Sequence, residues 1–213
     1  MSVLDDLSNL LLPAKCVLCS RLPKPICQDC WPSNAFAVRE VIKQELCGQA
    51  ICDYGNVIAD LLNGFKDRGQ VRIGQLLADQ IPRLIEKPLA GALVFAPSSR
   101  SNFHARGFIP AKVIAAQLGK AWNLPLVEIR LRSAAQDQAE LDRRHRLENL
   151  VGTMEFHRPL SGRRVLLVDD IVTTGATLRE MARAVGIAGG EVAGFITVAE
   201  TLPKSSTKSS KKV

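Results

Sequence analysis

An apolar stretch that runs directly into two adjacent carboxylates constrains the fold of this chain more than any other feature. The stretch, residues 165–178, reads VLLVDDIVTTGATL. Its first four residues are apolar on both faces, as in a strand buried inside a parallel sheet. Asp169 and Asp170 follow at once, and buried carboxylates are costly unless they are paired, hydrogen-bonded or at the surface. We therefore expect the acids at the carboxyl end of a strand, where open parallel sheets bind ligands.

The residues after the acids predict an anion site. Hydroxyl side chains, a glycine and the first free N–H groups of a helix come together in residues 173–177, TTGAT. Backbone donors and the positive end of a helix favour a phosphate at such a position. An acidic pair beside it suits a ribose 5-phosphate, with Asp169 and Asp170 accepting hydrogen bonds from the sugar hydroxyls. The alternative, a surface turn with an acidic N-cap, accounts for only one of the two acids.

The order of the predicted elements indicates an α/β fold class. Strands are predicted at 46–55, 91–97, 124–129, 163–170 and 191–200, and helices at 56–66, 71–86, 107–123 and 176–189. No hairpin signal separates these strands, so we expect a parallel sheet with crossover helices. The charged residues 130–150 are either an exposed helix or a mobile loop.

Length and composition favour one α/β domain with small appendages. We expect an N-terminal unit over 1–34, made of an amphipathic helix at 4–12 and a cysteine-rich segment, then the main domain over 35–203. The last ten residues carry four lysines and no acid, and predict a disordered basic tail over 204–213. Without this tail the net charge of +7 falls to +3, which does not indicate a dedicated nucleic-acid binder.

Neither a membrane span nor an export signal is expected. No apolar run approaches the roughly 18 residues that a spanning helix needs. The first residues, MSVLDDLSNLLLP, are acidic where a signal peptide would be basic. We therefore expect a cytoplasmic protein. Aromatic residues make up only 5% of the chain, which leaves few platforms on which nucleic-acid bases could stack.

Four of the six cysteines form two CxxC pairs with metal-ligand spacing. The pairs Cys16/Cys19 and Cys27/Cys30 predict a tetrahedral Cys₄ site suited to Zn²⁺, with a redox dithiol as the alternative. Four protein ligands leave no open position, so the zinc is expected to be structural. The remaining cysteines, Cys47 and Cys52, are interpreted as two buried strand thiols, and a second metal site is the alternative.

The motifs together resemble a known protein family. The stretch 165–178 resembles the phosphoribosyl-pyrophosphate signature of type I phosphoribosyltransferases. Four further features narrow the resemblance to ComF-type competence proteins: the four-cysteine knuckle, FKDRG (65–69), APSSRSNFHARGF (96–108) and QAELDRRHRLEN (138–149). The resemblance implies a type I phosphoribosyltransferase-like parallel sheet flanked by helices, with a small N-terminal zinc knuckle.

The resemblance also implies roles for individual residues. Asp169 and Asp170 would hold the ribose hydroxyls. The 5′-phosphate loop would consist of Thr173, Thr174, Gly175, Ala176 and Thr177. The pyrophosphate would bind at Ser98, Ser99, Arg100, Arg106 and Gly107. Mg²⁺ would accompany the pyrophosphate, and residues 131–149 would form a mobile hood over the reaction centre.

Two functions follow from the resemblance. One is phosphoribosyl transfer from phosphoribosyl pyrophosphate to an acceptor that the sequence does not name. The other is a non-catalytic role in competence and DNA uptake, with the same fold binding a nucleotide or single-stranded DNA. The three histidines, His104, His145 and His157, are expected to be surface or loop residues, and no general base is predicted.

Two departures from the family pattern leave two interpretations of the predicted pyrophosphate region. Phe95-Ala96-Pro97 stands where the family usually has Pro-Val-Pro, and Ile109 stands where it usually has Asn. Arg100 and Arg106 are therefore either pyrophosphate ligands or solvated surface cations.

Overall fold

The structure, a computed structural model, describes residues 15–132 and 150–202. The predicted N-terminal helix at 4–12, the hood residues 133–149 and the tail at 204–213 lie outside the described residues. The strands of the main sheet are β1 (Arg39–Lys43), β2 (Leu46–Asp53), β3 (Ala92–Phe95), β4 (Leu126–Val127), β7 (Arg164–Val172) and β8 (Glu191–Glu200). A separate antiparallel pair consists of β5 (Ile129–Leu131) and β6 (Met154–Phe156).

The main sheet is mostly parallel, which confirms the predicted fold class. Its order is β1-β2-β8-β7-β3-β4, and the pairs β2/β8, β8/β7, β7/β3 and β3/β4 are parallel. All four residues of β3 are buried, as are residues 165–168 of β7. This burial on both faces explains why both strands are continuous apolar runs in the sequence.

One edge of the sheet differs from the prediction. β1 pairs antiparallel with β2, so these two strands form a hairpin where none was predicted. The hairpin turn is Gln44-Glu45, and both residues have positive φ, 52° and 66°. Such turns usually contain Asn or Gly, which accept positive φ more readily. The sequence therefore carried no recognisable turn signal.

The helices connect the strands of the parallel sheet along the chain. They are α1 (Asn56–Asp67), α2 (Val71–Ala78), α3 (Ile81–Leu84), α4 (Arg100–Arg106), α5 (Pro110–Trp122) and α6 (Ala176–Ile187). The predicted helix 71–86 is wrong as one element: it is divided into α2 and α3, and Pro82 lies in the first turn of α3. Proline is tolerated there because the first N–H groups of a helix lack intrahelical partners.

Two other predicted elements have different boundaries. The helix predicted over 107–123 begins only at Pro110, because Gly107 has φ +75° and ends the unpredicted helix α4. The strand predicted over 124–129 is instead the two-residue strand β4 and the start of β5.

The cysteine-rich segment packs against the main domain. It contains two short 3-10 turns, Gln28–Cys30 and Ser33–Ala35. Cys16 and Ile26 are buried and belong to the same apolar core as the sheet and helices. Val17 packs on α1 at Gly64, where the Val17 Cγ2 atom lies 2.8 Å from the position that a Cβ would take. The absence of a side chain at Gly64 thus lets this segment approach the helix closely.

Candidate functional site

The acid pair lies in β7 beside a gap in the sheet. β7 continues for two residues past Asp170, so the strand ends later than predicted. On one side β7 pairs with β8 up to Val172, whereas on the other side its pairing with β3 stops at Val168. Asp169 and Asp170 are therefore the first β7 residues beyond the end of β3. Ligands of open α/β sheets bind in crevices of this kind at the carboxyl ends of strands.

A short network of polar contacts holds the two carboxylates. The backbone N–H of Asp170 donates a hydrogen bond to Asp169 Oδ1 at 2.8 Å. Lys66 Nζ lies 2.9 Å from Asp170 Oδ1, and these two side chains are only 20% and 10% exposed. Shielding from water strengthens the attraction between the opposite charges. Lys66 thus places a fixed positive charge next to the acid pair.

Asp169 is harder to ionise than an ordinary aspartate. Although part of the residue faces a pocket, burial raises the pKa of Asp169 to about 8, and the charge of Asp170 acts in the same direction. The backbone N–H of Asp170 and the ammonium group of Lys66 oppose this rise. Strongly shifted pKa values are concentrated at functional sites. Asp169 is therefore a titratable group at the centre of the candidate site.

The loop from β7 to α6 forms a small pocket with Asp169. Residues 173–177 line it together with their apolar neighbours Ile171, Val172 and Leu178. Thr173 and Thr174 are exposed, and the N-cap residue of α6 is Gly175, which has no side chain to cap the helix. Thr174 Oγ1 accepts a long hydrogen bond of 3.4 Å from the Ala176 N–H, and the other N–H groups of the first turn are available to an anion.

Gly175 is essential to the shape of this loop. Its φ is +80°, and a Cβ at this position would lie 2.6 Å from Lys43 Cβ in the β1–β2 hairpin. The hairpin also contacts the loop through Gln44, whose Nε2 donates to the Thr174 carbonyl oxygen at 3.3 Å and whose Oε1 accepts from Arg179 Nη1 at 3.2 Å. The hairpin that the sequence did not predict therefore supports the candidate phosphate loop.

The second predicted segment, residues 98–107, follows β3, the parallel neighbour of β7. The Ala96 N–H donates to the Val168 carbonyl oxygen at 2.9 Å, which places the start of the segment beside β7. Ser99 caps α4 by accepting a hydrogen bond from the Asn102 N–H at 3.2 Å. Gly107 ends the helix in the left-handed conformation. Local capping interactions thus define the shape of this segment.

The cations of this segment differ in their contacts. Arg100 is exposed, whereas Arg106 Nη2 lies 3.4 Å from Asp67 Oδ1. Ser98 is partly exposed. Among residues 15–132 and 150–202, no hydrogen bond or ion pair joins Ser98, Ser99 or Arg100 directly to the residues at 169–177. The two predicted ligand sets lie on neighbouring strands without direct polar contact.

The segment FKDRG, residues 65–69, connects the two sets. Lys66 pairs with Asp170, and the next residue, Asp67, pairs with Arg106. The sequence contains FKDRG as a recognisable motif, but it predicts no role for Lys66. The available signal was a lysine in a motif at the end of an amphipathic helix, and only the fold shows which carboxylate it meets.

The two CxxC pairs come together in space. The Sγ atoms of Cys16, Cys19, Cys27 and Cys30 all lie within 4.8 Å of one another. Cys19 Sγ and Cys27 Sγ are 3.6 Å apart, close to the edge of about 3.8 Å that four Zn–S bonds of about 2.3 Å give in a tetrahedron. Burial alone would raise the pKa of Cys16, but the backbone N–H groups of Cys27, Cys19 and Leu18 lower it to about 6. The cluster therefore fits a thiolate-binding cation such as Zn²⁺.

The other two cysteines behave differently from each other. Cys52 is buried, and its Sγ donates to the Val198 carbonyl oxygen at 3.0 Å. Cys47 is exposed, so its prediction as a buried thiol is wrong. It lies on β2 beside Gly48, and the alternation of a strand turns its side chain to solvent. The histidines His104 and His157 are exposed, as expected, and His145 lies outside the described residues.

Comparison with known proteins identifies the family. The family described as "Phosphoribosyl transferase domain" matches residues 104–213. The chain belongs to this family. The matched part includes β7, the acid pair and the loop that follows it.

Individual relatives narrow the resemblance. Competence protein ComFC of Bacillus subtilis (strain 168) is 28% identical over 79% of this chain and 70% of that protein. DNA utilization protein YhgH of Salmonella typhi is 33% identical over 45% of this chain and 43% of that protein. With the family match, these similarities confirm the predicted resemblance to ComF-type, phosphoribosyltransferase-like proteins.

Other relatives carry an enzyme name. Adenine phosphoribosyltransferase of Bifidobacterium longum (strain NCC 2705) is 33% identical over 53% of this chain, and the match spans 58% of that enzyme's length. A crystal structure of adenine phosphoribosyltransferase from Thermoanaerobacter pseudethanolicus aligns with 76% of this chain and 83% of its own, at 19% identity and a TM-score of 0.43.

The helices described over residues 15–132 and 150–202 include none with the length and apolar character of a membrane span.

Proposed function

We propose that this chain binds phosphoribosyl pyrophosphate with Mg²⁺ and transfers the phosphoribosyl group to an acceptor. The observation that carries the proposal is the order of groups from β7 onward: a carboxylate pair, then a loop that leads into the N-terminus of α6, with Gly175 at its cap position. A carboxylate pair accepts hydrogen bonds from vicinal hydroxyls, and the loop donates to a phosphate. A ribose 5-phosphate presents both groups.

The segment at 98–107 supplies the proposed pyrophosphate position. It follows β3, the strand beside β7, and brings Ser98, Ser99 and Gly107 to the same end of the sheet. Its backbone donors and the cations Arg100 and Arg106 suit the leaving group of the donor. In the transfer, the bond from C1 to the pyrophosphate oxygen breaks, the pyrophosphate leaves with the electron pair, and the acceptor's lone pair bonds to C1.

Mg²⁺ fits this arrangement without a cage of protein ligands. It usually binds through one or two carboxylates and the phosphates of a substrate, and Asp169 and Asp170 are the carboxylates at the site. When bound, the ion would neutralise the developing charge on the pyrophosphate. The protein's own groups orient the sugar and hold both phosphate ends, which is how placement contributes to rate.

The Cys₄ cluster is proposed to hold one structural Zn²⁺. The short segment has too few apolar residues for a core of its own, so the metal would supply part of its folding energy. A thiolate site of this kind needs reduced cysteines, which supports a cytoplasmic location. The proposed division of the chain remains 1–34, 35–203 and 204–213, and Val17 of the first unit packs on α1.

Titration calorimetry with phosphoribosyl pyrophosphate and Mg²⁺ tests the donor site. We expect Asp169→Asn/Asp170→Asn to weaken binding by at least about 100-fold, because the acceptors of two hydrogen bonds from the sugar hydroxyls are replaced by weaker ones. Asp60→Asn, an exposed substitution on α1, is the matched control and should bind like the wild type. The proposal fails if the wild type gives no heat or if the double variant binds equally well.

Pyrophosphate release separates an enzyme from a binding protein. The names of the relatives ComFC and YhgH favour the second candidate function, a non-catalytic factor for competence or DNA uptake. Adenine is the first acceptor to test, because several relatives are named adenine phosphoribosyltransferase. Binding of the donor without release of pyrophosphate for adenine or other bases would favour the non-catalytic function, and binding of single-stranded DNA would then be measured.

Metal analysis after purification in metal-free buffer tests the knuckle. We expect one zinc per chain in the wild type and loss of zinc in Cys27→Ser. Cys47→Ser is the matched control, since Cys47 is exposed and lies outside the cluster. The assignment would be contradicted if wild-type protein, after incubation with excess zinc, held clearly less than one ion per chain.

A further inference from the structure

We propose that Lys66 is a positioning residue of the donor site: it orients Asp170 and offsets the charge of the acid pair, so that an anionic sugar phosphate can bind there. The inference rests on the proposed function and adds a residue from outside the family signature. It assigns a role to FKDRG, the motif that the predicted site did not use.

The geometry brings the lysine directly to the acid pair. Lys66 Nζ lies 2.9 Å from Asp170 Oδ1, and both side chains are largely shielded from water. Among residues 15–132 and 150–202, Lys66 is the only ion-pair partner of either acid. The pairing holds one oxygen of Asp170 in place, and a carboxylate has a second oxygen that can accept a hydrogen bond.

The end of α1 is fixed by several contacts, so the position of Lys66 is fixed as well. Phe65 is completely buried and stacks on Phe108 with ring centroids 5.4 Å apart. Gly69 has φ +67°, which lets the chain reverse and the Gln70 N–H donate to the Gly64 carbonyl oxygen at 3.2 Å. A left-handed glycine just after a helix is a common way to end it. Lys66 therefore lies in a rigid last turn rather than on a free surface.

The opposite side of α1 is supported by the cysteine-rich segment. Val17, next to the cluster ligand Cys16, packs into the space that Gly64 leaves open. Gly64 precedes Lys66 by two residues on the same helix. The helix that carries Lys66 is thus packed between the knuckle and the core.

The neighbouring residue extends the connection to the other ligand segment. Asp67 Oδ1 lies 3.4 Å from Arg106 Nη2, at the end of α4. Consecutive residues of α1 therefore contact the acid pair on β7 and the proposed pyrophosphate segment after β3. The end of α1 forms a third side of the donor site.

The charge argument follows from the ligand's chemistry. A sugar phosphate carries negative charge, and an ionised Asp170 beside its hydroxyls would repel it. Lys66 offsets the charge of Asp170 at short distance, in surroundings where water screens poorly. Removal of the lysine charge should therefore weaken every ligand that uses the acid pair, with or without a pyrophosphate group.

Two ligands and three variants test this role. Calorimetry would compare ribose 5-phosphate with the Mg²⁺ complex of phosphoribosyl pyrophosphate on Lys66→Met, Lys66→Arg and the exposed control Lys120→Met. We expect Lys66→Met to weaken both ligands by at least about tenfold, since it removes a charged hydrogen bond. The affinities of Lys66→Arg should stay within about threefold of the wild-type values, because arginine keeps the charge. Lys120→Met should bind both ligands like the wild type.

Two results would overturn the inference. One is unchanged binding in Lys66→Met. The other is weaker binding of phosphoribosyl pyrophosphate alone, with ribose 5-phosphate unaffected, which would mean that Lys66 acts on the pyrophosphate and not through Asp170. If Lys66→Met does not fold, as judged by circular dichroism, Lys66→Gln replaces it.

A readout without ligand separates this inference from the proposed function. If the wild type binds neither ligand, the proposed function fails, while the positioning role of Lys66 is still measured by crystal structures of the ligand-free variants. The Asp170 carboxylate should leave its wild-type position in Lys66→Met and keep it in Lys66→Arg, because only the second variant retains a cation beside Asp170 Oδ1. An unchanged Asp170 side chain in Lys66→Met would contradict the positioning role directly.

Discussion

The two ligand segments of the candidate site follow neighbouring parallel strands but are built in different ways. The acid–phosphate segment, residues 169–177, is enclosed by other parts of the chain, including Lys66 and the β1–β2 hairpin. The serine–arginine segment, residues 98–107, is shaped mainly by the caps of its own short helix. The first segment matches the family signature, and the second carries the departures from it. Contacts with distant parts of the chain are therefore more extensive at the segment that matches the signature, whereas the other segment has the Arg106–Asp67 contact with α1.

Two glycines show this difference most directly. Gly175 and Gly107 both have positive φ, +80° and +75°, so both favour glycine for the same backbone reason. A Cβ at Gly175 would meet Lys43 at 2.6 Å, whereas nothing lies within 4 Å of a Cβ at Gly107. The same substitution therefore tests backbone strain alone at one position and strain with a clash at the other.

We expect Gly175→Ala to have the largest effect on stability. A left-handed alanine costs roughly 1 to 2 kcal/mol, and overpacking adds a similar amount, so the free energy of unfolding should fall by about 3 kcal/mol. Gly107→Ala should lower it by only about 1 kcal/mol. Urea denaturation of both variants measures the difference. Equal losses would show that the loop at Gly175 is not enclosed as described.

The acid pair predicts a pH effect of intermediate size. Burial raises the pKa of Asp169 to about 8, whereas an aspartate in the unfolded chain titrates near 3.9. Between these values the folded state binds more protons, so the contribution of Asp169 to stability is full below about pH 4 and is lost as the pH rises to about 8. Asp169→Asn removes this loss and keeps an oxygen for the Asp170 N–H.

Thermal or urea unfolding from pH 4 to pH 8 checks this prediction. Relative to the wild type, Asp169→Asn should gain at least about 2 kcal/mol of stability across the window. Asp67→Asn is the control from the other side of the site: Asp67 is exposed and pairs with Arg106, and an exposed pair contributes roughly 1 kcal/mol or less. A pH-independent difference between wild type and Asp169→Asn would contradict the burial of this carboxyl.

The same contrast explains what the sequence could predict. The buried strand, the acid pair and the phosphate loop were predicted because each leaves a local pattern: an apolar run, two charges and a Thr-Thr-Gly turn. The Cys₄ cluster was predicted from spacing alone, and the structure brings its four sulfurs together. The strand and the cysteine cluster were thus predictable because neighbouring residues carry the whole signal, while the ligand roles of the acid pair and of residues 173–177 remain predictions.

The features that were missed depend on distant parts of the chain. Lys66 meets Asp170 across more than a hundred residues, and Gln44 meets Thr174 across 130. Glu180 looks like a solvated helix charge, yet it is buried because Arg183 and the Met154 N–H satisfy its carboxylate. No local pattern encodes such pairs. The lysine, the hairpin support and the buried glutamate required the fold.

The smallest expected effect concerns local capping, for which the serine–arginine segment should lose more stability than the acid–phosphate segment. Ser99→Ala removes the N-cap of α4, where Ser99 Oγ accepts from the Asn102 N–H at 3.2 Å, and should cost about 1 kcal/mol. Thr174→Ala removes only a longer contact, 3.4 Å from the Ala176 N–H, on an exposed side chain, and should cost about 0.5 kcal/mol or less. Urea denaturation compares the two. If Thr174→Ala costs as much as Ser99→Ala, the acid–phosphate segment also depends on local capping, and its enclosure by Lys43 and Gln44 is not what maintains its shape.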